Sequence, residues 1–244
     1  MRETTQFANY HVEIWRRPRQ RHMHLTVRPD GRVRVTCHKR VSKRAILAFV
    51  MESREFIERR NVELADLQKK FPPKQMLSGE PYLFLGRRLQ LQVVWTWTDR
   101  IQVVLRDEEL EMTAPLSSTA EERAKAMRMF FKKTARRHLE ERVKVLGGLM
   151  SLSPQQLTIR AQSTRWGSYS SRGEMSLNMK LICCPEWVID YVVVHELAHI
   201  TFMNHSADFW GLVQPYAPNH RAARDWLRAH QAEIAVQFEG RRSP

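Results

Sequence analysis

Residues 192–206 read VVVHELAHITFMNHS and set three histidines and a glutamate in an apolar run. On a helix advancing about 100° per residue, His195 and His199 fall within roughly 40° of each other, one turn apart. An extended strand would hold them about 13 Å apart. Two imidazoles at helical spacing grip a single zinc ion (Zn2+), and a glutamate beside them is poised over a water; this is the HExxH arrangement of a hydrolytic zinc centre. Burial then has a reason, because ionisable groups in an apolar setting are costly unless paired or metal-bound. The chemistry therefore predicts a helix here, with Pro185 and Glu186 in its first turn. Propensity alone would also allow the β-branched WVIDYVVV to be a buried strand.

His205 lies six residues after His199, about 240° around and about 9 Å further along a continuous helix, out of reach of the same metal. The helix must end between them, and Asn204 is the candidate for a left-handed turn residue. His205 then returns as third ligand and leaves the fourth position to water, which is the catalytic pattern. The bland alternative is a surface histidine capping the next helix. A metzincin would need glycine where Phe202 stands and a methionine turn after the third ligand, and no methionine follows Met203. A gluzincin would take a carboxylate from a later helix, with Asp225 or Glu233 as candidates; His205 is the simpler ligand.

The reaction implied is amide hydrolysis of a peptide or protein substrate. Zinc brings the pKa of a water toward about 7, Glu196 accepts its proton as the water attacks a carbonyl, and the same carboxyl returns it to the leaving amine. The stretch EMSLNMKLI is expected to offer an edge along which an extended substrate pairs. Arg165 and Trp166 are candidates for the cleft lining, against a plain structural role for the tryptophan. Tyr216 and His220 are candidate oxyanion donors. Asp208 either orients a ligand imidazole or caps the next helix.

Around this segment the chain alternates element types. HMHLTVRPDGRVRVTCH is apolar on one face on both sides of a Pro-Asp-Gly turn, predicting a hairpin with Leu25, Val27, Val33, Val35 and Cys37 inward. Ser42 caps one helical run from Ile46 to Leu67 that ends before Pro72. Two more hairpins turn at Gly86 and near Asp107. Ser118 and Glu121 give a capping-box signal ahead of a long helix buried on Met127, Phe130, Phe131, Ala135, Leu139, Val143 and Leu146, and Gly147 and Gly148 are expected to end it. QQLTIRAQ and EMSLNMKLI read as strands, followed by three helical segments. The expected class is α+β: a strand-rich basic region over 1–115 and a zincin-like helical core with a small antiparallel sheet over 116–244, at a soft boundary. No internal repeat is visible.

The 244 residues suffice for one sizeable core or two small domains. Three cysteines, two of them neighbours, imply no disulfide framework. With no signal-peptide core and no apolar run of bilayer length, the expectation is a cytoplasmic protein that does not engage a membrane. Of the net charge of +14, residues 151–244 hold nine Lys+Arg against eight Asp+Glu, which leaves 31 against 18 to residues 1–150. Such a basic half is compatible with a solvated surface or with an anionic partner. Arg28, Arg32 and Arg34 on the hairpin, and Lys132, Lys133, Arg136 and Arg137 on the long helix, are the candidate phosphate contacts. They carry no interleaved stacking aromatics, so weak, sequence-independent, salt-sensitive nucleic-acid binding is the most they imply. A basic nucleic-acid-binding module with a structural or vestigial zinc site is the alternative function, and a protease that finds its substrates on DNA would combine both.

The stretch STRWGSYSSRGEMSLNMKLICCPEWVIDYVVVHELAHITFMNHSADFWGLVQPYAPNHRAARDWL resembles the YgjP-like metallopeptidase family, whose pattern runs Trp-Gly-Ser-Cys, a strand, an HExxH helix, Asn-His-Ser and Phe-Trp. The match is specific in order and spacing over 164–227 and extends to 20–160 in layout only. The resemblance implies a zincin-type α+β fold, related to SprT-like proteases, with zinc on His195, His199 and His205 and Glu196 as general base. Tyr169 stands where the family usually has cysteine, so no thiol role carries over.

Overall fold

The computed structural model describes residues 2–28, 30–72, 74–162 and 165–238. Pro29, the first residue of the anticipated Pro-Asp-Gly turn, lies outside them. The chain forms two compact units, Met1–Pro72 and Pro73–Pro244. The break falls at 72/73 and not near residue 116, because the strands up to Ala114 share one apolar core with the long helix that follows.

In the first unit, β1 (Arg2–Phe7), β2 (Tyr10–Arg17), β3 (His24–Val27) and β4 (Val33–His38) form one sheet in the order β1-β2-β4-β3, with β2 and β4 parallel. The hairpin registers as its alternation requires, Val27 opposite Val33 and Leu25 opposite Val35. The Ser42 hydroxyl accepts from the Ala45 N–H at 3.2 Å and starts α1 (Lys43–Glu52). The single helix expected up to Leu67 instead breaks at Ser53 and resumes as α2 (Arg54–Lys70). Of α2 only Ile57 is buried, while Phe56 and Val62 are exposed, so the stripe that anchors α1 does not continue in phase.

Arg28, Arg32 and Arg34, anticipated as outward phosphate contacts, instead surround the Glu13 carboxylate of β2 at 3.2, 3.8 and 2.9 Å. Burial pushes the Glu13 carboxyl up, but hydrogen bonds and charge from Arg34 and Arg28 outweigh it and hold the group below its ordinary 4.5. The folded protein therefore binds this proton more weakly than the unfolded chain. The stabilisation is present above about pH 4.5 and is lost as pH falls through the lowered folded value. Glu13→Gln is expected to cost about 2 kcal/mol at pH 7 and much less at pH 3. Hydrogen exchange of the β2 and β4 amides at the two pH values measures it; equal losses at both would refute the pairing.

The second unit opens with β5 (Pro81–Phe84), β6 (Arg87–Thr96), β7 (Gln102–Arg106) and β8 (Glu109–Pro115), ordered β5-β6-β8-β7 with β6 and β8 parallel. Both hairpins turn through two positive-φ residues, Leu85 and Gly86 at 46° and 78°, and Asp107 and Glu108 at 43° and 74°. That is the turn whose twist suits a tight hairpin. This sheet repeats the topology of the first unit, a resemblance with no trace in the residues themselves.

Helix α3 (Ala120–Met150) carries the expected stripe, with Phe131, Ala135 and Leu139 fully buried. Its capping box is Thr119 with Glu122, one residue later than Ser118 with Glu121, because the Ser118 hydroxyl donates to the Pro115 carbonyl at 2.7 Å. Nor do Gly147 and Gly148 end it. The helix runs on to Met150 and stops at left-handed Ser151, and Gly147 serves close approach, since a Cβ there would lie 2.5 Å from the Leu152 carbonyl oxygen.

A three-stranded sheet follows: β9 (Gln156–Arg160), β10 (Gly167–Tyr169) and β11 (Glu174–Asn178), ordered β10-β11-β9. β11 pairs parallel with β9 and antiparallel with β10, so EMSLN is the middle strand and not the edge expected for a substrate. The edge is β10, a strand too short to stand out in STRWGSYSSRG. The sheet is mixed where an antiparallel one was expected. A 3-10 turn, Met179–Cys183, leads to α4 (Glu186–Ala198), then α5 (Ala207–Val213) and α6 (His220–Gln237). No helix among the described residues is long and apolar enough to cross a membrane.

Candidate metal centre

WVIDYVVV is a helix because most of it is covered, with Trp187 exposed and Asp190 partly so. Val188, Ile189, Val193, Val194, Leu197 and Ala198 are all fully buried. A helix this largely apolar belongs in a core, where tertiary packing overrides the β-branched preference. Its placement is fixed by Arg142 of α3, whose guanidinium forks onto the Asp190 carboxylate at 2.7 and 2.8 Å and reaches Glu186 at 3.2 Å. Such bidentate geometry orients as well as attracts.

The last turn of α4 presents His195 and Glu196, and His199 caps it. The helix unwinds at once through Ile200 and Thr201, and Asn204 is not left-handed as expected. The Phe202 N–H reaches back to the Ala198 carbonyl at 2.9 Å, and the Phe202 carbonyl meets His199 Nδ1 at 2.9 Å. A tight unwinding thus achieves what a left-handed residue would have, and brings His205 back. Among the described residues, His195, His199 and His205 are the group able to hold a metal ion, with their donor atoms all within 4.8 Å of one another. His205 Nε2 lies 3.2 Å from His195 Nε2.

The donor chemistry fits a cation. With Nδ1–H of His199 donated to the Phe202 carbonyl, its Nε2 lone pair is left for a metal. Burial, then the neighbouring imidazoles of His199 and His205 and the charge of Arg224, push His195 down to about 3, so its ring is neutral. Burial, His199 and Arg224 likewise lower His205. Ser206, and not Asp208, caps α5, its hydroxyl accepting from the Phe209 N–H at 3.4 Å. That cap sets the fully buried Phe209 ring 5.1, 4.8 and 4.8 Å from the rings of His195, His199 and His205.

Glu196 is 6% exposed and faces a cleft of about 430 Å³ also lined by Arg165, Trp166, Gly167, Tyr191 and His195. Burial raises its carboxyl to about 7, partly offset by Arg165. That is the range in which one group both accepts and returns a proton at neutral pH.

A family model described as YgjP-like, metallopeptidase domain, matches residues 21–230. The chain belongs to this family. It is a metal-dependent peptidase, and peptides or proteins are its substrates. Comparison with curated proteins finds no match. Among solved structures it is similar to the metallopeptidase zymogen of Pyrococcus abyssi abylysin, at 23% identity over 38% of this chain and 91% of that one, with a TM-score of 0.33.

Within this YgjP-like fold the candidate residues separate. Arg165 and Trp166 line the cleft beside Glu196. Tyr216 does not line it, and its hydroxyl donates to the Leu149 carbonyl at 3.3 Å. His220 stacks on Trp210 at 5.0 Å, and its buried Nδ1 has no partner. Asp225 pairs with Arg228 at 3.3 Å and Glu233 with Arg88 at 2.7 Å, away from the three histidines. Tyr169 sits on β10 opposite Met175. The sequence assigned no role to Phe209, Tyr191, Gly167 and Arg224, although Gly167 and Phe209 stand in its Trp-Gly-Ser and Phe-Trp motifs. Tyr191 was reachable, since it stands one helical turn before His195; the other three depend on tertiary approach.

Proposed function

We propose that this protein hydrolyses peptide bonds with zinc held by His195, His199 and His205 and with Glu196 as general base. The observation that carries the reading is the meeting of three imidazoles with one buried carboxylate at an open cleft. The 3.2 Å between His195 Nε2 and His205 Nε2 is short enough for both nitrogens to share one zinc ion. Held there by the three imidazoles, a zinc ion would supply Lewis acidity, lowering the pKa of water and polarising the scissile carbonyl.

The chain's own groups do the rest. Glu196 takes the proton of the attacking water and returns it to the departing amine, so the carboxylate is regenerated in each turnover. β10 is an edge strand with Gly167 against Glu196, and an extended peptide aligns along that edge. His199 is held in one tautomer by the Phe202 carbonyl, and Phe209 packs against all three rings.

Zinc analysis and chelator competition test the ligand set. One zinc per chain is expected. His205→Ala should weaken retention by more than the roughly 10- to 100-fold typical of groups that merely orient a ligand, and His220→Ala should change it little. The reverse ranking would remove His205 from the set.

A further inference from the structure

Helix α6 turns Arg224, Leu227, Arg228 and Gln231 toward the cleft, positions i, i+3, i+4 and i+7 of one helical face. Arg165 joins the lining from the chain just ahead of β10. Glu196 is the one carboxylate among the lining residues, and it is buried.

Some arginines elsewhere in the chain are held by carboxylates. Arg28, Arg32 and Arg34 converge on Glu13, and Arg142 forks onto Asp190. Arg228 meets Asp225 at 3.3 Å, with both side chains largely exposed, a pairing that solvent screens. Arg165 and Arg224 have no acidic partner within ion-pair distance among the described residues. A guanidinium offers a planar fork of N–H donors that matches a carboxylate, and one at the rim of a partly water-shielded cleft attracts it more strongly than one in bulk solvent.

We propose that this cleft selects substrates carrying a carboxylate next to the scissile bond, held by Arg165 and Arg224. The carboxylate is either an acidic side chain or the free C-terminus of the substrate. The selectivity rests on the peptidase reading above, and it adds a preference that the zinc centre alone does not impose. Arg224 acts on substrate affinity, through an ion pair formed equally in ground and transition states, so its loss raises KM more than it lowers kcat.

The test uses zinc-loaded Glu196→Gln full-length protein and fluorescent octapeptides that differ only in Glu, Gln or Lys at one position, each with a free or an amidated C-terminus. The carboxylate-bearing peptides are expected to bind at least 10-fold tighter than their neutral counterparts. In an Arg165→Gln/Arg224→Gln background that advantage should vanish, and Arg224→Lys should keep part of it, which separates lost charge from lost folding. If amidation removes the preference, the C-terminal carboxylate is the group recognised; if Gln in place of Glu removes it, the side chain is. Equal binding of charged and neutral peptides, or a preference that survives in the double variant, would overturn the proposal. Hydrolysis that depends on Glu196 without acidic preference would remove the arginine subsite and leave the peptidase reading intact. Acidic preference in binding without Glu196-dependent hydrolysis would do the opposite.

Discussion

Glu196→Gln is expected to keep its zinc and to lose hydrolysis by roughly 10²- to 10⁴-fold, the range for removing a positioned general base. The amide matches the carboxylate in shape but cannot accept a proton near neutral pH, so attack by water loses its assistance while the cleft stays intact. Glu196 is not among the residues grouped as metal donors, so the variant should bind metal like the native protein. Its stability should not fall. The carboxyl is 6% exposed, and burial already disfavours its charged form, so a neutral amide of the same size removes a desolvation penalty. Initial rates on an unfolded protein substrate, alongside zinc content and thermal unfolding, separate these effects. Wild-type rates with full zinc would place the base elsewhere; low rates with low zinc would make Glu196 part of the metal site.

The approach of His195 to His199 was the most legible feature of the sequence because it is local. Four positions of one helix decide whether His195 and His199 can share a metal, and the same argument corrects the propensity of WVIDYVVV. Hairpins were legible for the same reason: the turns at Gly86 and Asp107 and the inward face of Val27, Val33 and Val35 follow from neighbours in the chain. What failed were features decided by a second segment. Ser118 looks like a cap until the Pro115 carbonyl claims its hydroxyl, and Gly147 looks like a helix end until Leu152 is seen packed against it. β11 reads as an edge because nothing in EMSLN reveals that β9 returns parallel on one side and β10 antiparallel on the other. The outward arginines of the hairpin seemed available to phosphate because Glu13, fifteen residues before Arg28, lies on another strand.

Gly167 gives the sharpest test of such a tertiary constraint. Its backbone φ is not in the left-handed region, so glycine is not required there for conformation. Space requires it. A Cβ built on Gly167 would lie 2.5 Å from Glu196 Oε1, 2.7 Å from its Cγ and 2.8 Å from its Cδ, all inside contact distance. Relief cannot come cheaply. Gly167 is held in register opposite Leu177 on β11, and the Glu196 side chain is only 6% exposed, so either the strand or the carboxylate must move. A displacement of about 1 Å in a catalytic group costs on the order of 10²-fold in rate. Gly167→Ala is therefore expected to cut kcat by about that factor while zinc stays bound, because the three atoms nearest the methyl all belong to Glu196. Gly211→Ala on α5 is the control, since nothing lies within 4 Å of a Cβ there, and it should hydrolyse at the native rate. Full activity of Gly167→Ala would mean that the β10 backbone does not lie against the base, and the alignment of substrate along that strand would fall with it. Loss of zinc with loss of activity would instead show that the strand supports the metal site and not the proton transfer.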